Sequence, residues 1–271
     1  MMGRVLRQLR DDLRAMVREQ VEYRELLFAL TRRDLILRYE HTLMGFGWAV
    51  FVPLLHMLVF TLIFTRLVPL DTGLPYPVYA YAGLLPWNLL ASSLRFSATA
   101  LTSNSNLVTK VYFAREVLPF SAVLVALVDF VVAATLLAGL MLHYRIGLSW
   151  TALFLPVVMV VQLAFTAGLA LLVAMGNLFF RDLKYALDVV LTVWMLATSV
   201  VYPVERLGGW LGAALALNPM TPIIDAYRAV LLRGQLPPLG VFLATALASF
   251  ATLGMAWWLF HRAEFRFAEN I

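Results

Sequence analysis

Long uncharged runs, separated by short charged segments, dominate the chain. The clearest is Phe46–Thr65, in which 20 consecutive residues carry no formal charge. A helix of that length crosses a hydrocarbon core of about 30 Å at about 1.5 Å per residue. We expect six such spans: Phe46–Thr65, Tyr79–Leu101, Val117–Leu142, Leu148–Phe180, Ala186–Val204 and Pro238–Phe260. The pattern therefore predicts an all-α, polytopic membrane protein.

A different periodicity precedes the first span. In Arg4–Val21 the apolar residues fall on one side of a helical projection and four arginines on the other. This pattern is typical of a helix that lies in the headgroup layer. Packing of the same face against a protein partner is the alternative.

The segment between the fifth and sixth spans is apolar but broken. Leu207–Ile224 is uncharged, yet three glycines and two prolines interrupt it. We expect two short re-entrant helices that meet near Asn218–Pro219, because irregular backbone within a membrane must be covered by protein or line a cavity. A surface loop is the alternative.

Composition agrees with a membrane protein. Of the 271 residues, 62% are hydrophobic and 14% are charged, and the mean hydropathy is +0.83, whereas soluble domains contain about 25% charged residues. We expect a single transmembrane domain: interfacial helices at 1–45, a bundle at 46–260 and a tail at 261–271. The net charge of +5 does not require nucleic acid as a partner, and none is expected.

Basic residues set the predicted orientation. With the N-terminus inside, the inner segments hold 15 Lys and Arg residues and the outer segments hold 5. Positive charge collects on the cytoplasmic side of membrane proteins. The sequence therefore predicts a multi-pass membrane protein with both termini in the cytosol.

Several kinds of chemistry are missing from the sequence. Neither lysine, Lys110 or Lys184, follows a glycine, so the chain has no phosphate-binding P-loop. The four histidines are scattered and there is no cysteine, so we expect no metal site, no catalytic residues and no cofactor bound by this chain.

Three charged residues lie within predicted spans, and one of them, Asp188, lies near the inner end of the fifth. Asp129 falls near the middle of the third span, and Arg95 lies about two turns from the inner end of the second. Charges inside membranes are usually paired or face a cavity. An Arg95–Asp129 pair, a proton relay through Asp129 and cavity lining all remain open.

Several blocks in a fixed order resemble one family across nearly the whole chain. They are RRDLILRYEHTLMGFGWAVFVPLL, YAGLLPWNLLASSL, NSNLVTKVYFAREVLPFSAVLVALVDF, GNLFFRDLKYAL and NPMTPIIDAYRAVLL. Each block alone is weak, but the ordered set is similar to the permease subunit of ABC-2 type polysaccharide exporters, which export O-antigen, capsule and teichoic acid.

The resemblance implies an ATP-driven assembly. A homodimer of six-span subunits would form a channel for a lipid-linked glycan, and two separate ATP-binding subunits would bind ATP and Mg. In such a mechanism, closure of the ATPases pushes on a cytosolic loop, and spans one and five separate at the dimer interface. An exporter of another lipid or of a drug, a secondary transporter and a membrane enzyme are the alternatives.

The matching cytosolic loop lies between spans two and three. Its apolar residues are flanked by charges, as in many protein interfaces. Packing beneath the bundle is the alternative for the apolar residues. The expected ATPase-coupling residues, including a second inner segment, are Lys110, Val111, Tyr112, Phe113, Arg115, Arg181 and Asp182.

Aromatic and polar residues are candidates for the channel wall, because aromatic rings stack on sugars and arginine binds phosphate bidentately. Ordinary packing between helices or against lipid is the alternative, and surface solvation is the alternative for Arg228. The candidates are Trp194, Tyr202, Phe179, Trp87, Asn218, Tyr227 and Arg228.

Overall fold

A computed structural model describes residues 18, 20–40, 42–67, 72–111, 113–203, 215, 218–264 and 267. The expected all-α class is confirmed, since these residues form helices and connections without a strand. Most of the predicted amphipathic helix Arg4–Val21, the coupling residue Tyr112 and most of the re-entrant segment Leu207–Ile224 lie outside the described residues.

Nine α-helices are described. They are α1 (Arg24–Tyr39), α2 (Gly47–Leu62), α3 (Tyr76–Ser103), α4 (Ser105–Lys110), α5 (Val117–His143), α6 (Leu155–Phe179), α7 (Leu183–Leu196), α8 (Met220–Arg228) and α9 (Leu239–Ala263). One π-helical turn, Ile63–Leu67, extends α2, another, Ala229–Arg233, extends α8, and a 3-10 turn, Trp150–Phe154, leads into α6.

Within the described part of the chain, four helices are long and apolar enough to cross a membrane. They are Gly47–Arg66, Val117–His143, Trp150–Phe179 and Leu239–Ala263, and they match predicted spans one, three, four and six. Helix α3 has 28 residues and matches span two in position, but its tyrosines, serines and Asn88 make it more polar than the other four. The count of six spans stays a prediction.

Predicted span five is shorter than expected. The sequence predicts a helix to Val204, but α7 ends at Leu196 after 14 residues. At about 1.5 Å per residue such a helix covers about 21 Å, less than the hydrocarbon core. The chain then turns through Ala197–Tyr202, so α7 does not cross the core as one helix.

Helix α3 forms the centre of the bundle. It packs against α5 and α6, and also against α2, α7 and α8, and nineteen of its residues are buried. Because lipid offers no hydrophobic driving force between helices, association depends on close packing, which small residues permit. Several of the buried positions of α3 are small: Ala80, Ala82, Gly83, Ala91 and Ala98.

The closest approach in this core occurs at Gly83. A Cβ atom added there would lie 2.2 Å from the Val200 carbonyl oxygen and 2.5 Å from Nη2 of Arg228. Glycine therefore lets the chain after α7 and the end of α8 meet the central helix. Helix α8, which contains the end of the predicted re-entrant segment, begins after a turn at Asn218–Pro219. The dip through the outer leaflet stays a prediction.

Candidate functional site

A polar cavity lies beside the first apolar span. It has a volume of about 370 Å³ and is bounded by α1, α2, α3 and α5. Charged groups in membrane proteins usually face such protected spaces. The polar residues that line it are Arg38, Tyr39, His56, Asn88, Ser92, Arg95 and Asp129.

Asp129 fastens α1 to α5 on one side of this cavity. Its carboxylate accepts a hydrogen bond from the Tyr39 hydroxyl and forms an ion pair with Arg38. The Arg38 guanidinium also lies 4.3 Å from the centre of the Phe96 ring. Burial, followed by contact with Asp129, raises the pKa of Tyr39, so this phenol stays protonated and donates to the carboxylate.

Arg95 has a different partner. Its Nε atom lies 2.7 Å from an oxygen of Asp188 on α7, so the pairing of Arg95 with Asp129 is wrong. Both residues lie within predicted spans, which made a pair possible, but Arg38 of α1 supplies the cation for Asp129. Both members of the Arg95–Asp188 pair are about half exposed, and the pair ties α7 to the central helix.

Trp194 is packed between helices rather than lining an open wall. Its ring meets Trp87 edge-on at 5.7 Å and Phe165 at 6.3 Å between centroids. Its indole N–H donates to Asn218 at 3.0 Å. Trp87 is 3% exposed and Trp194 is partly buried, so both tryptophans pack between helices in this conformation.

Asn218 joins the end of α7 to the start of α8. Besides accepting from Trp194, its Oδ1 accepts from the Met220 backbone, and its Nδ2 donates to the Ala197 carbonyl and the Thr198 hydroxyl. All its amide atoms are thus occupied by protein partners, which leaves none in this conformation for a glycan.

Tyr227 is buried in the same layer. Its hydroxyl donates to Oε1 of Gln162 at 2.7 Å, and Nε2 of Gln162 donates to the Pro86 carbonyl at 2.7 Å. This chain of hydrogen bonds links α8, α6 and α3. With 1% of its surface exposed, Tyr227 does not line a channel in this conformation.

Arg228 lies in the interior rather than at the outer surface. It is fully buried and donates to the carbonyl oxygens of Tyr79, Ser199 and Val200. It also pairs with Asp225 at 3.2 Å, and its guanidinium lies 3.7 Å from the Tyr79 ring centre. Surface solvation, the stated alternative, is therefore wrong, and in this conformation backbone carbonyls occupy the donors that a headgroup or glycan would need.

The remaining wall candidates lie at opposite ends of the bundle. The Tyr202 hydroxyl donates to the Leu196 carbonyl just after α7. Phe179, at the end of α6, is 40% exposed and packs edge-on against Phe267 at 6.3 Å. Tyr202 packs against the same hydrophobic cluster as Trp194, whereas Phe179 lies at the other end of the bundle.

The predicted coupling loop has an exposed part and a buried part. Lys110 is exposed and Val111 is 50% exposed. Phe113, in contrast, is 4% exposed and packs in a cluster with Leu30 and Val108. Phe113 therefore packs beneath the bundle in this conformation, and its contact with an ATPase stays a prediction.

Arg115 is also engaged within the chain. Its guanidinium donates to the carbonyl oxygens of Glu264 at 2.5 Å and Val108 at 3.2 Å, and its backbone N–H donates to the Glu264 carboxylate. Arg115 therefore connects the loop to the end of α9. Arg181 and Asp182, in the second predicted coupling segment, are exposed.

Glu116 and His261 extend this connection. Nδ1 of His261 lies 3.3 Å from Glu116 and 3.8 Å from Glu264. Burial, and next the neighbouring Glu116 carboxylate, raise the pKa of Glu264 to about 7. The three ligand atoms lie within 4.8 Å of one another, as metal ligands do, and Nε of Arg115 lies 3.9 Å from the Glu264 carboxylate.

Sequence reasoning missed several residues that organise these sites. Arg38, Tyr39 and Gln162 reach partners between 65 and 91 positions away, and no local pattern reveals such partners. Gln162 did carry a signal, since it is a polar residue inside a strongly apolar run. Polar side chains at such positions are usually hydrogen-bonded across helices.

Comparison with known proteins points to one family. The model of the family described as "ABC-2 type transporter" matches residues 25–232. An O-antigen export system permease protein, RfbA, of Myxococcus xanthus is 36% identical over 259 residues, which cover 94% of this chain and 99% of that protein. A protein of the same name from Klebsiella pneumoniae is 26% identical over 248 residues, which cover 90% of this chain and 94% of that protein.

A more distant relative carries a different name. The polysialic acid transport protein KpsM of Escherichia coli is 22% identical over 217 residues, which cover 77% of this chain and 81% of that protein. The names of these relatives all refer to transport of a polysaccharide.

Proposed function

Because the chain belongs to the ABC-2 type transporter family, we propose that it is the membrane-spanning permease subunit of an exporter that moves a lipid-linked polysaccharide, such as an O-antigen, across the inner membrane. The observation that carries this proposal is the 36% identity to an O-antigen export permease over 94% of the chain. The long apolar helices agree with it.

The energy for transport would come from another polypeptide. This chain has two lysines and neither follows a glycine, so it lacks the Gly-Lys-Ser/Thr core of a P-loop. We therefore assign ATP and Mg to two copies of a separate ATP-binding subunit. The chain itself is a transport subunit, not an enzyme.

The exposed residues Lys110 and Val111 are the proposed docking point for that subunit. Lys110 is the last residue of α4 and Val111 follows it, at the end of the bundle that holds the inner basic residues. An apolar side chain beside a cation suits a protein interface. Two residues that follow in the loop fix its position. Phe113 packs in the hydrophobic cluster beneath the bundle, and Arg115 is hydrogen-bonded to Glu264 at the end of α9. Movement of the ATPase would thus reach α5 and α9 together.

The transport path is proposed to form between two copies of the chain. The wall candidates Trp87, Trp194 and Tyr227 pack inside one subunit. The outward faces of α2 and α7, in contrast, are apolar and exposed, and these helices correspond to predicted spans one and five. Their separation in a homodimer would open a path that a single packed bundle lacks.

Reconstitution tests both the function and the docking point. The chain and its ATP-binding subunit, placed together in proteoliposomes, are expected to move a lipid-linked glycan in an ATP-dependent manner. Val111→Asp should lower both co-purification of the ATPase and glycan transport by roughly tenfold, which corresponds to about 1.4 kcal/mol of lost binding.

Leu148→Asp is the matched control. Leu148 is 70% exposed and lies at the other end of α5, so the same type of change should leave ATPase binding unaltered. Equal co-purification by both variants would contradict the docking point. ATP hydrolysis without glycan movement, together with movement of another lipid, would contradict the polysaccharide as substrate.

A further inference from the structure

A second cavity, here called the basic pocket, lies at the end of the bundle that holds the inner basic residues. It has a volume of about 310 Å³ and is lined by Thr99, Thr102, Ser105, Asn177, Arg181 and Lys184. It lies where α3 meets α4 and where α6 turns into α7. We propose that the basic pocket binds a phosphate group.

The charge of the basic pocket is uncompensated. Its lining contains two cations, four neutral hydrogen-bonding residues and no carboxylate. Among the described residues, neither Arg181 nor Lys184 forms an ion pair, and the Lys184 ammonium lies 4.8 Å from the Tyr185 ring centre. In the larger cavity, by contrast, Arg38 pairs with Asp129 and Arg95 with Asp188.

Asn177 supplies a fixed and buried donor. It is 2% exposed, and its Oδ1 accepts a hydrogen bond from the Lys184 backbone N–H at 3.1 Å. This bond fixes the orientation of the amide, and its Nδ2 has no hydrogen-bond partner among the described residues. Because Asn177 lines the cavity, a ligand in the basic pocket can accept a hydrogen bond from this donor in place of water.

The donor set matches phosphate chemistry. A guanidinium, an ammonium, an amide N–H₂ and three hydroxyls can all donate to phosphate oxygens, and hydrogen bonds between charged groups are the strongest of these. Arg181 and Lys184 line the same cavity as this amide. The pocket therefore provides both the net positive charge and the directed donors that a phosphate needs.

The place of the pocket indicates where the phosphate comes from. The predicted orientation puts this end of the bundle at the cytosolic membrane surface, beside the start of α7. A phosphate there is either a phospholipid headgroup or the phosphate that links a glycan to its lipid carrier. This inference deepens the proposed function and, for its second source, rests on it.

Binding to the full chain in a neutral detergent, with its ATP-binding subunit present, tests the proposal. Native mass spectrometry measures retention of dioleoyl phosphatidic acid, with dioleoylglycerol as the ligand that lacks the phosphate. We expect the phosphate-bearing lipid alone to be retained. Asn177→Asp keeps the acceptor for Lys184 but replaces the free donor with a carboxylate oxygen, and it should weaken retention at least tenfold.

Arg262→Gln is the matched control. It lowers the net charge by the same amount at the same end of the chain, but Arg262 is exposed and lies over the Trp258 ring at 4.1 Å, outside the pocket. It should leave retention unchanged. If Asn177→Asp fails to fold, Lys184→Gln, which changes an exposed side chain, is expected to weaken retention instead.

Competition with soluble inorganic pyrophosphate distinguishes the two sources of phosphate. Displacement of the lipid shows that a phosphate group alone is recognised, as a lipid-linked substrate requires. If the wild-type chain keeps the lipid in the presence of pyrophosphate but the pocket variants do not bind it, the site is assigned to a phospholipid headgroup held in the membrane.

Two results would overturn the proposal. One is equal retention of phosphatidic acid by the wild-type chain and the pocket variants. The other is that the pocket variants retain the lipid as the wild-type chain does but no longer bind the ATP-binding subunit, which would make the pocket a protein contact. Because the assay requires neither ATP hydrolysis nor glycan, failure of transport would leave its result intact.

Discussion

At the scale of single residues, the buried polar side chains are the main structural feature of this protein. Arg228, Tyr227 and Asn218 make hydrogen bonds inside the bundle that join segments far apart in the sequence. The sequence indicates that such residues are special, because each is polar within an apolar region. The partners of these residues depend on tertiary packing, which the sequence does not show. In this conformation these candidates for the channel wall therefore bond within the bundle.

Replacement of Arg228 by Lys is expected to destabilise the fold. Lysine keeps the charge but cannot reach the three carbonyl groups that the guanidinium contacts. Loss of one charged hydrogen bond costs about 2 kcal/mol, so the midpoint of thermal unfolding in detergent should fall clearly. Arg233→Lys, the same exchange at an exposed position five residues later, should have little effect. Equal midpoints for both variants would contradict the structural role.

At the scale of helices, boundaries were predicted well where hydrophobicity alone determines them. Helix α5 begins at Val117, as predicted for span three. Helix α9 begins at Leu239, one residue after the predicted start of span six. The predicted end of span five was wrong because α7 stops where Trp194 and Ala197 bond to Asn218, more than twenty residues further along the chain. Periodicity cannot reveal a helix end that is set by a distant partner.

The connection between α9 and the coupling loop should depend on pH. Burial raises the pKa of Glu264 from its ordinary value of 4.5 to about 7. Between these values the folded chain holds more protons than the unfolded chain, so the free energy of unfolding falls as pH rises from about 4.5 to about 7 and then levels off.

Unfolding midpoints from pH 5 to pH 8 measure this effect. Glu264→Gln should flatten the fall over that range, since the amide does not titrate and can still accept from the Arg115 backbone. Glu25→Gln, at an exposed position in α1, should retain the wild-type slope. Parallel curves for Glu264→Gln and the wild-type chain would show that another group is responsible.

At the scale of the whole molecule, the two ends of the bundle differ in character. Basic residues collect at the end where α3, α6 and α9 finish, and the basic pocket, the exposed docking residues and the Arg115–Glu264 connection all lie there. The sequence predicted this asymmetry from the 15 to 5 distribution of Lys and Arg. It could not show which of these cations are neutralised, because that depends on contacts between helices.

Labelling of single cysteines tests the predicted orientation, and the chain has no cysteine of its own. With a membrane-impermeant maleimide and intact spheroplasts, Leu148→Cys and Leu236→Cys should react, and Phe180→Cys should react only after permeabilisation. All three positions are exposed in the fold, so a missing reaction reflects the membrane side. Reaction at position 180 in intact cells would contradict the placement of both termini in the cytosol.

The contact at Gly83 also limits how the sequence of this protein can vary. A side chain there would meet the Val200 carbonyl oxygen as well as the Arg228 guanidinium, so shortening Arg228 would relieve one collision and leave the other. A second-site change at 228 should therefore fail to rescue Gly83→Ala. Variation at this crossing requires the backbone after α7 to move.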